Sequence, residues 1–143
     1  MRILQLASGE DSRVAFKRIP AATRKRWSKA LRSGEYKQST GTMCSEYGWC
    51  CLGVLLDNEI DGDWVQYERL PDQYQLIRTG SGSSMEELSL RMPSQKIGDQ
   101  LGLDDSLARA LAGLNDSGGS FDIIADLIDD SFSRKGKENE YLP

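Results

Sequence analysis

Cys44, Cys50 and Cys51 are the strongest nucleophiles in this 143-residue chain, which contains no histidine to deprotonate them. The attacking form of cysteine is the thiolate, so without an imidazole base a catalytic cysteine needs a neighbouring arginine or a helix N-terminus. Nothing in the sequence singles out one of the three for that task. The missing histidine excludes Ser–His–Asp and Cys–His catalysis outright. Three cysteines, two of them adjacent, also do not make the paired clips of a four-ligand zinc site. Asp57, Glu59, Asp61 and Asp63 crowd one short stretch, but no spacing there matches a calcium loop, and they read as a solvated acidic turn. The run GSGSSMEE from residue 80 has no lysine and places acid where a phosphate would sit, so it is not a phosphate loop. No catalytic residue, metal site or cofactor is assigned. The three cysteines read as small buried hydrophobes, although a Cys44–Cys50 bridge across a hairpin is geometrically conceivable.

Binding chemistry is better represented than catalytic chemistry. The formal net charge is −4, but residues 1–40 carry ten Lys/Arg against three Asp/Glu, and the remainder carries eight against nineteen. Either the basic segment lies over the acidic remainder, or it meets a polyanion or nucleotide phosphate. Six of the eleven aromatic residues, including all three tryptophans, fall between residues 27 and 67 and overlap the basic segment. Rings beside arginine and lysine can stack a base and hold its phosphates. The candidate contact surface is therefore Arg24, Lys25, Lys29 and Arg32 with Tyr36, Tyr47 and Trp49. The bland counterpart is that the tryptophans form the core of a domain poor in phenylalanine, which suits Trp27 and Trp64 best. A helix-turn-helix between Ile97 and Leu127 is excluded as a DNA reader, because its second helix, SFDIIADLIDD, carries four aspartates that phosphates repel.

The elements that must position these residues follow from periodicity. Residues 21–32 read as a helix opened by Pro20, with Thr23, Trp27, Ala30 and Leu31 on one stripe and Ser33-Gly34 as its stop. Residues 38–53 read as a hairpin turning at SEYG, and the apolar run from 50 to 57 favours a short buried helix. Residues 2–6 and 64–68 read as short strands, and VAFKRI at 14–19 suits either strand or helix. Pro71 opens an expected helix, PDQYQLIR, and residues 80–84 form a loop that serves as a spacer or a lid. Further helices are expected from Ser94, over 105–114, and from Ser120, with a break at NDSGG over 115–119. The expected fold is one α+β domain over residues 1–133, a small antiparallel sheet packed against three or more helices, with a charged tail at 134–143. There is no run of eighteen apolar residues, so no membrane helix is expected. An odd cysteine count without an export signal points to a reducing cytosol.

Three stretches, RWSKALRSGEYKQSTG, WCCLGVLLD and LNDSGGSFDIIADLID, resemble in order the LRSGxYxQ, CCLGVL and LNDxGxSFxxIADxI phrases of small uncharacterised proteins of tailed bacteriophages and prophages. The resemblance covers roughly residues 24–132, with residues 1–19, the GSGSS loop and KIGDQLGLDD fitting poorly. It implies a phage product in the host bacterial cytoplasm and implies no reaction. Small phage accessory proteins often work by binding, so the implied partner is a host protein or a small anionic nucleotide-like ligand, in the manner of counter-defence. A histidine-free hydrolase and a protein-interaction module that self-associates stand as the other two classes.

Overall fold

The computed structural model describes residues 3–78 and 90–132. At its centre is α3 (Cys51–Glu59), in which every residue from 51 to 56 is buried. A helix that is apolar all round has no solvent face to offer, so it belongs inside a protein. Helices α2 (Ala21–Arg32) and α5 (Asp105–Asp116) pack against it, α6 (Phe121–Asp130) packs on α2, and the shorter α1 (Ser12–Phe16) and α4 (Gln95–Leu101) complete the helical set. Helix α2 forms over the residues its spacing predicts. It buries Thr23, Trp27 and Leu31, and the Trp27 indole N–H donates to the Cys51 carbonyl at 2.9 Å. Ser94 and Ser120 cap α4 and α6 by accepting from Ile97 and Ile123, as their positions ahead of apolar stripes predict. The α6 stripe of Phe121, Ile124, Leu127 and Ile128 closes the core against α2 and α1.

The sheet is small, antiparallel and ordered β2-β1-β4-β3, giving the expected α+β fold. Strands β1 (Cys44–Ser45) and β2 (Gly48–Trp49) make the hairpin expected around SEYG. Gly48 adopts φ +143°, and a Cβ there would lie 2.3 Å from the Lys37 carbonyl, so only glycine fits this corner. Strands β3 (Gly62–Tyr67) and β4 (Leu70–Arg78) form a second hairpin through Glu68-Arg69. The helix expected from Pro71 is therefore a strand. Its register jumps between Gln66 and Tyr67, leaving Pro71 in an irregular stretch that makes no demand for its missing N–H. Leu76 then points into the core and Tyr74, Gln75 and Ile77 pair with β3. Residues 3–6 form no strand beyond an isolated bridge from Gln5 to Asp11, and the ambiguous 14–19 stretch contributes to α1 and the turn after it. Helix α5 runs two residues past its expected end. The 80–84 loop and the charged tail lie outside the described residues. The sheet leans on the helices through Leu76, Trp49 and Trp64.

Hairpin, α3 and α5 are tied together by two amides. Asn115, 1% exposed, accepts from the Gln38 side chain at 2.9 Å and from the Cys51 backbone N–H at 3.2 Å, and donates to the Ser39 carbonyl at 2.9 Å. Gln38 completes the knot by donating to the Gly119 carbonyl and accepting from the Phe121 N–H. Buried polar groups cost little when every donor and acceptor is matched, and a great deal when one partner is removed. Replacing Asn115 with alanine leaves the Cys51 N–H and the Ser39 carbonyl without their partner. The N115A variant is expected to lose about 3 kcal/mol of stability, read as a lowered urea midpoint by circular dichroism with an unchanged slope.

Candidate functional site

The seven residues expected to form one surface occupy separate places. Arg24 is only 7% exposed. Its Nε donates to the Ile19 carbonyl at 2.9 Å, one terminal nitrogen donates to Ser131 at 2.8 Å, and its guanidinium lies 4.3 Å from the Phe132 ring centroid. Burial lowers its pKa from the ordinary arginine value. Arg32 pairs with Asp126 and Asp129 of α6, and neighbouring Arg26 pairs with Glu59 at 2.8 Å. The uneven charge of the chain is thus largely an internal match, with the basic α2 lying over acidic α6. Lys25 is exposed with its Nζ 5.7 Å from the Phe132 centroid, and Lys29 is exposed on the same helix.

Tyr36 and Trp49 belong to a ring ladder instead. Tyr36, Trp49 and Trp64 meet edge-to-face with centroids 5.2 Å apart at each step. The Tyr36 hydroxyl and the Trp64 indole N–H both donate to Asp57. Burial and the adjacent Asp57 carboxylate push the Tyr36 phenol up to about 12. The ladder therefore packs the sheet onto α3, with Asp57 as its anchor. Tyr47 alone among the expected aromatics stands clear of the body, 60% exposed at the hairpin tip.

The cysteines are all free and buried, with no Cys44–Cys50 bridge. Burial pushes Cys44 up to about 12 and Cys50 up to about 11, and holds Cys51 well above its ordinary value. At neutral pH each is a thiol, the form with little nucleophilicity. A thiol-trapping reagent such as Ellman's is expected to label none of them within minutes at pH 8 in the native protein and all three after denaturation in urea. Rapid native labelling of even one would show an activated thiolate.

Tyr47 lines a cleft of mixed polar and apolar character that no motif announced. The cleft occupies about 690 Å³ between the 39–42 loop, the start of β4, the 90–92 segment and α5. Two cationic side chains line it, Arg91 and Arg109. Arg91 is placed by the Met43 N–H, which donates to the Leu90 carbonyl at 2.8 Å and docks its segment on the hairpin. Arg109 projects from α5, with its Nε on Asp105 one turn earlier at 2.8 Å and 72% of the side chain still exposed. The opposite wall is the Ser39-Thr40-Gly41-Thr42 loop. It is fixed at both ends, Ser39 by Asn115 and the Gly41 N–H by the Asp116 carboxylate at 3.1 Å. Asp72 contributes a carboxylate to the lining. Glu46 first, and Asp72 less strongly, raise the Tyr47 pKa, so its hydroxyl stays a donor at neutral pH. A cleft of this size, with a few convergent polar groups and an accessible ring, suits a small organic anion. Among the described residues no cluster of three or more His, Cys, Asp or Glu side chains could hold a metal ion, and no helix is long and apolar enough to cross a membrane.

A family model described as a domain of unknown function, DUF8296, matches residues 19–132. The chain belongs to this family. Comparison with curated proteins and with solved structures found no match in either. The DUF8296 match spans α2, both hairpins and α3 to α6, so it contains the amide knot and every residue named as lining the cleft. Arg91, Arg109 and Asp72 escaped sequence reasoning. Arg109 carries a weak signal, since it lies on α5 away from the Leu107 and Leu111 stripe. Arg91 carries none, because only the path of the chain across the hairpin brings it there.

Proposed function

We propose that this DUF8296 protein is a non-enzymatic binder of a small anionic, nucleotide-type ligand, held in the cleft beneath Tyr47. The observation that carries this reading is the convergence of two guanidinium side chains and one exposed phenol ring on a single cleft with a hydrogen-bonded wall. Guanidinium forks match phosphate oxygens, and a tyrosine face accepts a base with little sequence or shape demand. Asp72 supplies an acceptor for N–H groups of a base. The three cysteines are thiols in the interior, which favours capture of the ligand over its hydrolysis by a cysteine nucleophile. The resemblance of the LRSGEYKQ, CCLGVL and LNDSGGSF stretches to phage proteins supports an accessory role in the host bacterial cytoplasm, where withdrawing a nucleotide signal would blunt a host response.

Calorimetry with cyclic dinucleotides and with ADP-ribose tests the reading. At least one is expected to bind, and Arg91→Ala or Arg109→Ala is expected to weaken binding at least tenfold, about the loss of one charge-assisted contact. Affinity should also fall with added salt. Denaturing the complex should release the ligand unchanged. No heat from any nucleotide would overturn the binding site, and recovery of a cleaved product would overturn the non-enzymatic assignment.

A further inference from the structure

The cleft adjoins a second, smaller cavity, so that the two form an outer and an inner lobe whose linings differ in kind. The outer lobe, about 690 Å³, carries Tyr47, Leu70 and Asp72. The inner lobe, about 260 Å³, has no aromatic residue. It is walled by Cys50, Ala112, Gly113 and Asp116. Both lobes share Gly41, Thr42, Met92 and the two arginines, Arg91 and Arg109. The cations therefore lie at the junction, not at either end.

Resting on the proposed function, we infer that the ligand is a nucleoside diphosphate carrying a small polyhydroxylated group on its terminal phosphate. The three parts follow from the three environments. The base and its ribose take the outer lobe, where the Tyr47 face and the Leu70 side chain cover a ring and Asp72 accepts from its N–H groups. The diphosphate lies at the junction, where two guanidinium forks neutralise its charge. The terminal group enters the inner lobe, whose small side chains leave room. There the Asp116 carboxylate and the Thr42 hydroxyl offer partners to hydroxyl groups. A mononucleotide fills only the outer lobe and the junction. A polyphosphate without a terminal polyol would place more negative charge beside Asp116.

Gly113 gives a clean way to separate the lobes. A Cβ at this position of α5 meets no atom within 4 Å, so a side chain there projects into open space of the inner lobe without disturbing the fold. The experiment titrates the full chain with AMP, ADP and ADP-ribose, and in parallel with UMP, UDP and UDP-glucose, by calorimetry. In at least one series the diphosphate is expected to bind more tightly than the monophosphate, and the sugar-extended diphosphate roughly tenfold more tightly again, equivalent to one good polar contact. Gly113→Leu is expected to remove that last tenfold, leave the plain diphosphate unchanged and keep the thermal midpoint at or above that of the parent. Equal affinity for plain and extended diphosphates, or an equal loss of both in Gly113→Leu, would overturn the two-lobe assignment while leaving the anion site standing. Binding of cyclic dinucleotides alone would do the same. Failure of every nucleotide to bind would overturn both readings.

Discussion

Asn115 is a small side chain with an unusual burden. Its carbonyl and amide close the hydrogen-bond accounts of a loop, a helix start and a glutamine that would otherwise be left open in the interior. Backbone groups cut off from water need a partner, and the 38–42 segment has few because it is neither helix nor paired strand along most of its length. Two amides solve the problem for the hairpin approach, α3 and the junction before α6 at once. Gln38 comes from the YKQ end of one phrase, Cys51 from CCLG, and Asn115, Gly119 and Phe121 from LNDSGGSF. The three stretches that look most distinctive in the sequence are thus the ones that meet. Their distinctiveness coincides with a matching of donors and acceptors in the interior.

Charge plays a different part from the one its distribution first implies. Ten basic residues near the start suggest an outward-facing cationic surface, yet Arg32 crosses to Asp126 and Asp129, Arg26 to Glu59, and Arg18 to Glu10 and Asp104. Exposed pairs of this kind are screened by solvent and contribute little to stability, so the Arg32 pairs orient α2 over α6 more than they hold it there. The packing of Trp27 and Leu31 against the core does the holding. Arg24 is the exception, since its cation is buried with a carbonyl, a hydroxyl and the face of Phe132 as neighbours. That arrangement ties the end of α6 to the start of α2.

Much of the architecture was legible because periodicity and caps agree. Helix α2 is bounded by Pro20 and Ser33-Gly34, α6 by Ser120, and α3 follows from Leu52, Leu55 and Leu56. The reading failed at residues 71–78 because proline suits the opening of either a helix or an irregular strand, and only pairing with β3 decides between them. Of the proposed binding surface only Tyr47 was legible, since its position in a hairpin turn favours exposure. The basic stripe misled because the opposing face of α6 cannot be seen from α2 alone. Arg91 and Arg109 are eighteen positions apart and become neighbours across one cleft only through the tertiary path of the chain.

At Gly53 a Cβ would fall 1.9 Å from the Met43 carbonyl, so the approach to the first hairpin presses directly on α3 with no side chain between. Backbone against backbone leaves no soft layer to compress. The residue that follows the loop walling the cleft is thus seated on the most deeply buried helix, and that side of the cavity is anchored at its end. A guest meeting such a surface forfeits little freedom on the protein's side, apart from two long arginine arms that must settle. Discrimination among related molecules by the proposed site would then come from the backbone-seated half rather than from the long arginine side chains.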